Sequence, residues 1–185
     1  MRGYFSPWTN YESFKTCSEV NIAFKEMLSS TSFQRKAKSV FYTEILEDEK
    51  KMLLASREGN VEDVRRLFSS GMVDVNCAGG KYQSTPLCEA AYHGNTDVVR
   101  ILLDRGAEHD RADKHGQTAL YGAAERGHKD ALLLLIDRGA HPDKADKYGQ
   151  TPLHGAALNG RKEVVKLLLD RGAAHNQAGL GRSYF

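Results

Sequence analysis

A short segment recurs three times along this chain of 185 residues, and its threonines stand 33 residues apart. The copies occupy residues 84–87, 117–120 and 150–153, and each is followed at constant distances by an alanine pair, a glycine and an Asp-Arg-Gly triplet. Repetition with a period of about 20 to 50 residues is typical of proteins in which similar units stack in a row. Each unit contacts only its neighbours, so the chain is predicted to bury one continuous core along the stack.

Two helices are predicted in each repeat. The threonine is a good helix cap and the next residue is proline or alanine, so the first helices should begin at Pro86, Ala119 and Pro152. The glycine that follows the alanine pair marks the end of this helix. The second helix carries a stripe of valine, leucine and isoleucine that is broader than one neighbour can cover, which predicts packing on both sides.

A degenerate copy precedes these three repeats, because Gly59 and Gly71 have the 12-residue spacing of the corresponding glycines in the later copies. In this alignment Asp63 and Arg66 take the places of apolar residues, which gives the polar outer face that a terminal unit requires. We therefore predict a partly helical or disordered extension over 1–44, a capping repeat over 45–80, repeats over 81–113, 114–146 and 147–179, and a tail over 180–185.

The last repeat has no such polar face. Val164 and Leu167 are as apolar as their counterparts in the earlier repeats, and the pattern stops after Ala178. Three interpretations stay open: the tail folds back over the stack, a partner covers its end, or this chain is part of a longer array.

The repeat unit resembles the ankyrin repeat, which has a 33-residue period and a Thr-Pro-Leu-His pattern. Residues 151–154 match that tetrapeptide in full, whereas Cys88 and Tyr121 replace the histidine in the other two copies. The resemblance covers residues 48–179. It implies an all-α solenoid of stacked helix pairs with hairpin-like turn tips.

Charge and cysteine content narrow the class of protein. Lysine and arginine number 26 against 24 aspartate and glutamate, and a net charge of +2 is too weak to indicate a nucleic-acid or membrane partner. Three cysteines are too few for a disulfide framework, and no apolar run is long enough for a secretory signal or a membrane span. We expect a cytoplasmic protein, with the nucleus as the alternative.

The sequence does not support an enzyme, a metal site or a cofactor. The chain has 7 histidines but no pair with metal-ligand spacing. Cys88 and His93 stand five apart, too far round a helix to face each other, so Cys88 is expected to fill a small buried site. The Gly80-Lys81 dipeptide lacks the other residues of a phosphate loop.

The resemblance implies that protein partners are bound by the turn tips and by the exposed side of each first helix. The partner-binding positions carried over to this chain are Tyr82, Glu89, Tyr92, His93, Lys114, His115, Tyr121, Glu125, Arg126, Lys147, Tyr148, Leu158 and Asn159. Gly122 and Gly155 are placed on the same surface, as positions that packing does not fix. Tyr92 and Leu158 have an alternative role in packing against a neighbouring helix.

These features predict a non-catalytic interaction module: an adaptor, a scaffold or an inhibitor that binds a protein partner. Basic and aromatic residues alternate at the tips, in Lys81-Tyr82, Lys114-His115 and Lys147-Tyr148. They could be simply solvated or could bind an acidic ligand, with nucleic acid as a weaker alternative. A further alternative is the substrate-recognition array of a larger enzyme or ligase complex.

The family resemblance also implies a modification site. Some ankyrin proteins are hydroxylated on asparagine or aspartate in the turn after the second helix, and Asn76, Asp110, Asp143 and Asn176 fall near that place. The alternative is that these turn residues stay unmodified.

Overall fold

The computed structural model describes residues 47–71 and 73–174, which form eight helices in four consecutive pairs. The expected extension over 1–44 and the tail over 180–185 lie outside the described residues. The helices are α1 (47–58), α2 (Val61–Ser69), α3 (Pro86–His93), α4 (Thr96–Asp104), α5 (Ala119–Arg126), α6 (Lys129–Asp137), α7 (Pro152–Leu158) and α8 (Lys162–Asp170). The predicted all-α solenoid is confirmed.

The repeated threonines start the first helices of the three regular repeats. The Thr85 hydroxyl oxygen accepts a hydrogen bond from the Cys88 amide at 3.1 Å, and Thr118 does the same for Tyr121 at 3.3 Å. At the third copy, Nδ1 of His154 accepts a hydrogen bond from the Thr151 amide at 3.3 Å. Each cap satisfies a backbone group that the helix itself leaves unpaired.

The core runs along the stack between equivalent helices. α5 packs between α3 and α7, and α4 packs against both α2 and α6. The first helices meet through alanine pairs that are fully buried in α3 and α5, and the second helices contribute buried leucines such as Leu102 and Leu135. Small side chains allow the first helices to approach closely, while the leucines fill the wider space between the second helices.

The two ends of the described stack differ. On the outer side of α2, Arg66 and Asp63 form an exposed ion pair with 2.7 Å between nitrogen and oxygen. At the other end, Ala157 is exposed although its counterpart Ala124 is fully buried, and the Leu158 side chain is 73% exposed. The last described repeat therefore presents apolar surface that an internal repeat would bury.

The turn tips are joined to one another by backbone hydrogen bonds. The Lys114 amide donates to the Tyr82 carbonyl, and the Lys147 amide donates to the His115 carbonyl, both at 2.9 Å. Within its own turn, Asp113 accepts hydrogen bonds from the amides of His115 and Gln117 at 2.8 and 2.9 Å. The tips are therefore held in a fixed row rather than projecting independently.

One tip carries a strained residue. Gly116 and Gly149 occupy equivalent positions with φ of +85° and +77°, and Gln83 takes the same place in the first tip with φ of +51°. A side chain makes this left-handed conformation unfavourable.

We expect the buried leucines to dominate stability. Replacing Leu135 or Leu102, both fully buried, with alanine should lower the free energy of unfolding by about 2–5 kcal/mol, because each change leaves a cavity. Replacing the exposed Lys114 with alanine should cost less than about 0.5 kcal/mol. Denaturant titration measures both, and equal losses would contradict the assigned core.

A second stability prediction concerns the strained tip. Gln83→Gly should raise the free energy of unfolding by about 0.5–1 kcal/mol, since relief of left-handed strain outweighs the added flexibility of the unfolded chain. Gly116→Gln is the matched control and should destabilise, because a Cβ there would lie 2.8 Å from the Lys147 amide nitrogen. A lower melting temperature for Gln83→Gly would contradict the proposal that the left-handed backbone at Gln83 destabilises the fold.

Candidate interaction surface

The tips bring six of the basic and aromatic residues into one line, here called the tip row. Its members are Lys81, Tyr82, Lys114, His115, Lys147 and Tyr148. All are exposed except the half-buried His115, and the exposed fraction reaches 71% at Tyr148 and 48% at Tyr82. Exposed aromatic rings on a rigid backbone are what protein-binding surfaces use as anchors.

Tyr82 is surrounded by cations and by a second ring. The Lys114 and Lys81 ammonium nitrogens lie 4.9 and 5.4 Å from its ring centroid, and the His115 ring centroid lies 5.7 Å away. Attraction between each cation and the face of the ring holds the side chains together. These contacts orient the Tyr82 ring.

A groove of about 340 Å³ runs from the tip row along the first helices. Its lining includes Glu89, Tyr92, His93, His115 and Glu125, all predicted binding residues. Five of the sequence-derived positions therefore share one concave surface with Tyr82.

Two charged contacts shape the wall of this groove. Glu89 accepts a hydrogen bond from Nε of Arg57 at 3.0 Å, and this bond raises the pKa of the Arg57 guanidinium. The Arg126 guanidinium donates to the Tyr92 hydroxyl, and its carbon lies 4.2 Å from the ring centroid. Tyr92 is half-buried and packs against α5, which favours the packing role that was its alternative.

The structure removes Tyr121 from the predicted surface. Its side chain is 5% exposed, its hydroxyl donates to Oε1 of Gln150 at 3.0 Å, and burial raises its pKa to about 12. A partner cannot reach a ring packed between repeats, so the expectation for Tyr121 is wrong. The substitution of histidine by tyrosine at this repeat position gave no sign of burial.

The expectation that packing does not fix Gly155 is wrong, whereas at Gly122, which lines the groove, a Cβ would make only ordinary contacts. A Cβ on Gly122 would lie 3.4 Å from Tyr92 atoms, and a Cβ on Gly155 would lie 3.2 Å from the Tyr121 ring. Gly155 therefore makes room for an aromatic ring of the preceding repeat.

Leu158 and Asn159 lie at the C-terminal end of α7, in the last described repeat. Leu158 is strongly exposed, and the Asn159 side-chain amide donates to the Gly155 carbonyl at 2.9 Å. Neither residue lines the groove described above.

A set of contacts between repeats was missed by the sequence reasoning. The residue after each first-helix glycine contacts a backbone carbonyl at the end of the preceding first helix. Asn95 donates to the carbonyls of Ser56 and Arg57, and Nε of Arg161 donates to the Glu125 carbonyl at 3.0 Å. Nε2 of His128 lies 3.1 Å from the Tyr92 carbonyl oxygen. The available signal was a hydrogen-bond donor at this position in every copy.

These back-bonding side chains rest on a glycine of the preceding repeat. A Cβ on Gly94 would lie 2.5 Å from the His128 ring, and a Cβ on Gly59 would lie 2.7 Å from Asn95. The glycines thus end the helix with a positive φ and also leave space for the next repeat.

The predicted modification positions take part in another set of contacts between repeats. Asn76 accepts a hydrogen bond from the Glu108 amide at 2.9 Å, and Asp110 and Asp143 accept from the amides of His141 and Ala174. Asn176 lies outside the described residues. These oxygens link successive turns.

The buried cysteine is not arranged for catalysis. Burial raises the pKa of the Cys88 thiol to about 11, and its sulfur donates to the Arg111 carbonyl. A thiol that stays protonated is a poor nucleophile. Within the described ranges there is no cluster of three metal-ligating side chains, and none of the helices there is long and apolar enough to cross a membrane.

Comparison with known proteins agrees with this architecture. The family model described as ankyrin repeats (3 copies) matches residues 39–113 and 108–178. The chain is 33% identical over 72 residues to mouse 2-5A-dependent ribonuclease and 41% identical over 54 residues to ankyrin repeat domain-containing protein 29 of Danio rerio. It is 43% identical over 63 residues to ankyrin repeat, SAM and basic leucine zipper domain-containing protein 1 of Saimiri boliviensis boliviensis.

These matches are partial on both sides. They cover 39%, 29% and 34% of this chain, and only 10%, 18% and 13% of the relatives' own lengths, in the order given. The similarity therefore covers only a small part of each of these relatives.

The His128 contact predicts a pH dependence of stability. Burial lowers the pKa of His128 below its ordinary value of 6.5, so the unfolded chain binds more protons than the folded chain just below that pH. The contribution of His128 to the free energy of unfolding should therefore be complete above about pH 6.5 and be lost as the pH falls below that value.

His128→Asn tests this dependence, because Asn95 makes the same kind of contact one repeat earlier. The variant should lose less free energy of unfolding between about pH 7 and pH 5 than the unmodified chain. Denaturant titration at several pH values measures the difference. Identical pH profiles would show that His128 does not contribute.

Proposed function

The chain belongs to the ankyrin repeat family, and from this we propose that it is a non-catalytic module that binds a protein partner across the tip row and the adjoining groove. The observation that carries the proposal is the exposure of Tyr82 and Tyr148 on tips joined by backbone hydrogen bonds. Neither ring contributes to the core, and large exposed aromatics are characteristic of binding surfaces.

The tip-and-groove surface suits a partner because it is already rigid. Hydrogen bonds join one tip to the next, and the back-bonding side chains hold the ends of the first helices. Binding to an ordered surface avoids the entropy loss of ordering loops. A role as adaptor, scaffold or inhibitor follows from binding without chemistry.

The size of the relatives supports a recognition role within a larger assembly. The matched segments make up less than a fifth of each relative, so each relative extends well beyond the part that this chain matches. We propose that the repeats of this chain select the partner within a larger assembly. The proposed compartment is the cytoplasm or the nucleus.

The paired change Tyr82→Ala and Tyr148→Ala should leave the melting temperature nearly unchanged, because both side chains are exposed. It should weaken partner binding by about 1–3 kcal/mol, the usual loss for aromatic anchors. The immobilised chain and the variant are compared by quantitative mass spectrometry of proteins retained from a cell extract, and the affinity of each retained protein is then measured with purified material.

Lys162→Ala with Lys166→Ala is the matched control, since both lysines are exposed on α8, away from the tips. This control should retain partners as the unmodified chain does. Equal retention by the tyrosine variant would exclude the tip row as the binding surface.

A further inference from the structure

We propose that the tip row binds an acidic segment of the partner protein in the polyproline II conformation, with a carboxylate at every third residue. This inference rests on the proposed function and specifies the chemistry of the partner. It follows from the charge, the spacing and the aromatic content of the tip row.

The charged ends of the tip-row lysines are accessible to a ligand. Lys81, Lys114 and Lys147 are exposed, and none of them enters an ion pair within residues 47–71 and 73–174. Two of the three ammonium groups lie over the Tyr82 ring, which adds no negative charge. Three cations on one edge would attract a carboxylate-bearing segment.

The aspartates at the tips offset only part of this charge. One oxygen of Asp113 and one of Asp146 each accept two backbone hydrogen bonds inside their own turns, and Asp146 is buried. Gly80 takes the equivalent place in the first tip, so that tip has no carboxylate. Asp113 is half-buried and lines the groove, and three lysines against these two aspartates still leave the edge positive.

The spacing of the repeats selects the conformation of the ligand. Packed helices stand about 8–10 Å apart, so equivalent tip positions of neighbouring repeats are expected at a similar separation. The hydrogen bonds between tips hold these positions in register. A polyproline II segment turns once in three residues and rises about 9.3 Å in doing so. Side chains at every third residue therefore lie on one side and match the lysines, whereas a β-strand would alternate them between two faces.

The second residue of each tip supplies the other half of the recognition. Tyr82, His115 and Tyr148 follow the three lysines at the same interval of 33 residues. Aromatic rows bind polyproline II segments in several peptide-recognition domains, because the segment is already extended and loses little entropy on binding. Residues between the carboxylates would contact these rings.

A synthetic peptide tests the proposal directly. The probe is a fluorescein-labelled peptide with glutamate at every third position and proline or alanine between, measured by fluorescence anisotropy with the intact chain. Two control peptides have the same length: one carries glutamine for glutamate, and the other carries the same glutamates in one consecutive block. We expect the spaced acidic peptide to bind at least about tenfold more tightly than the glutamine peptide, and more tightly than the block peptide.

Two triple variants separate position from overall charge. Lys81→Gln, Lys114→Gln and Lys147→Gln together remove the lysines of the tip row, and Lys129→Gln, Lys162→Gln and Lys166→Gln remove three lysines from α6 and α8. Each set changes the net charge from +2 to −1, three charges fewer. The tip-row set should weaken peptide binding about tenfold, and the second set by less than about twofold.

Several outcomes would contradict the proposal of an acidic partner segment. Equal weakening by the two triple variants would show a general charge effect. Equal affinities for the spaced peptide and the block peptide would contradict the three-residue spacing. Tighter binding of a single-stranded RNA with the same number of charges would favour nucleic acid. If these tests failed while the paired tyrosine variant still lost its retained partner, the proposed function would stand without this ligand.

Discussion

The close approach of neighbouring repeats is the constraint on which the rest of the structure depends. Alanine pairs let the first helices pack against each other, and the glycines at the helix ends admit side chains from the next repeat. Each repeat then donates a hydrogen bond back to carbonyls that the preceding first helix leaves unpaired. The packing of the first helices and the hydrogen bonds between repeats both require this close approach, which recurs along the stack.

Because the distance between neighbouring repeats is fixed, the period of the sequence determines which side chains lie together on the surface. Residues 33 positions apart come to lie side by side, so any residue type that recurs at a tip becomes a row. Positions required for stacking, such as the capping threonines, cannot vary freely. The side chains at the tips are not needed for stacking, which leaves Tyr82 and Tyr148 exposed for the proposed binding surface.

The same constraint explains where sequence reasoning about the surface failed. The repeat pattern predicts Tyr121 on the exposed side of a first helix, but the neighbouring helix covers one edge of that side. A ring from one repeat fills the space above a glycine of the next, at Tyr92 with Gly122 and at Tyr121 with Gly155. The identity of such a residue depends on its partner in the adjacent repeat, which one repeat read alone does not reveal.

The sequence by itself determined the helix pairs, their order, their caps and the buried stripe, because these follow from periodicity and from the local chemistry of threonine, proline and glycine. It also placed the exposed aromatics at Tyr82 and Tyr148. Only the tertiary structure decided which first-helix residues stay accessible and which donors reach back across repeats. Those outcomes depend on the distance and rotation between neighbouring repeats, and the residues of a single helix do not encode either quantity.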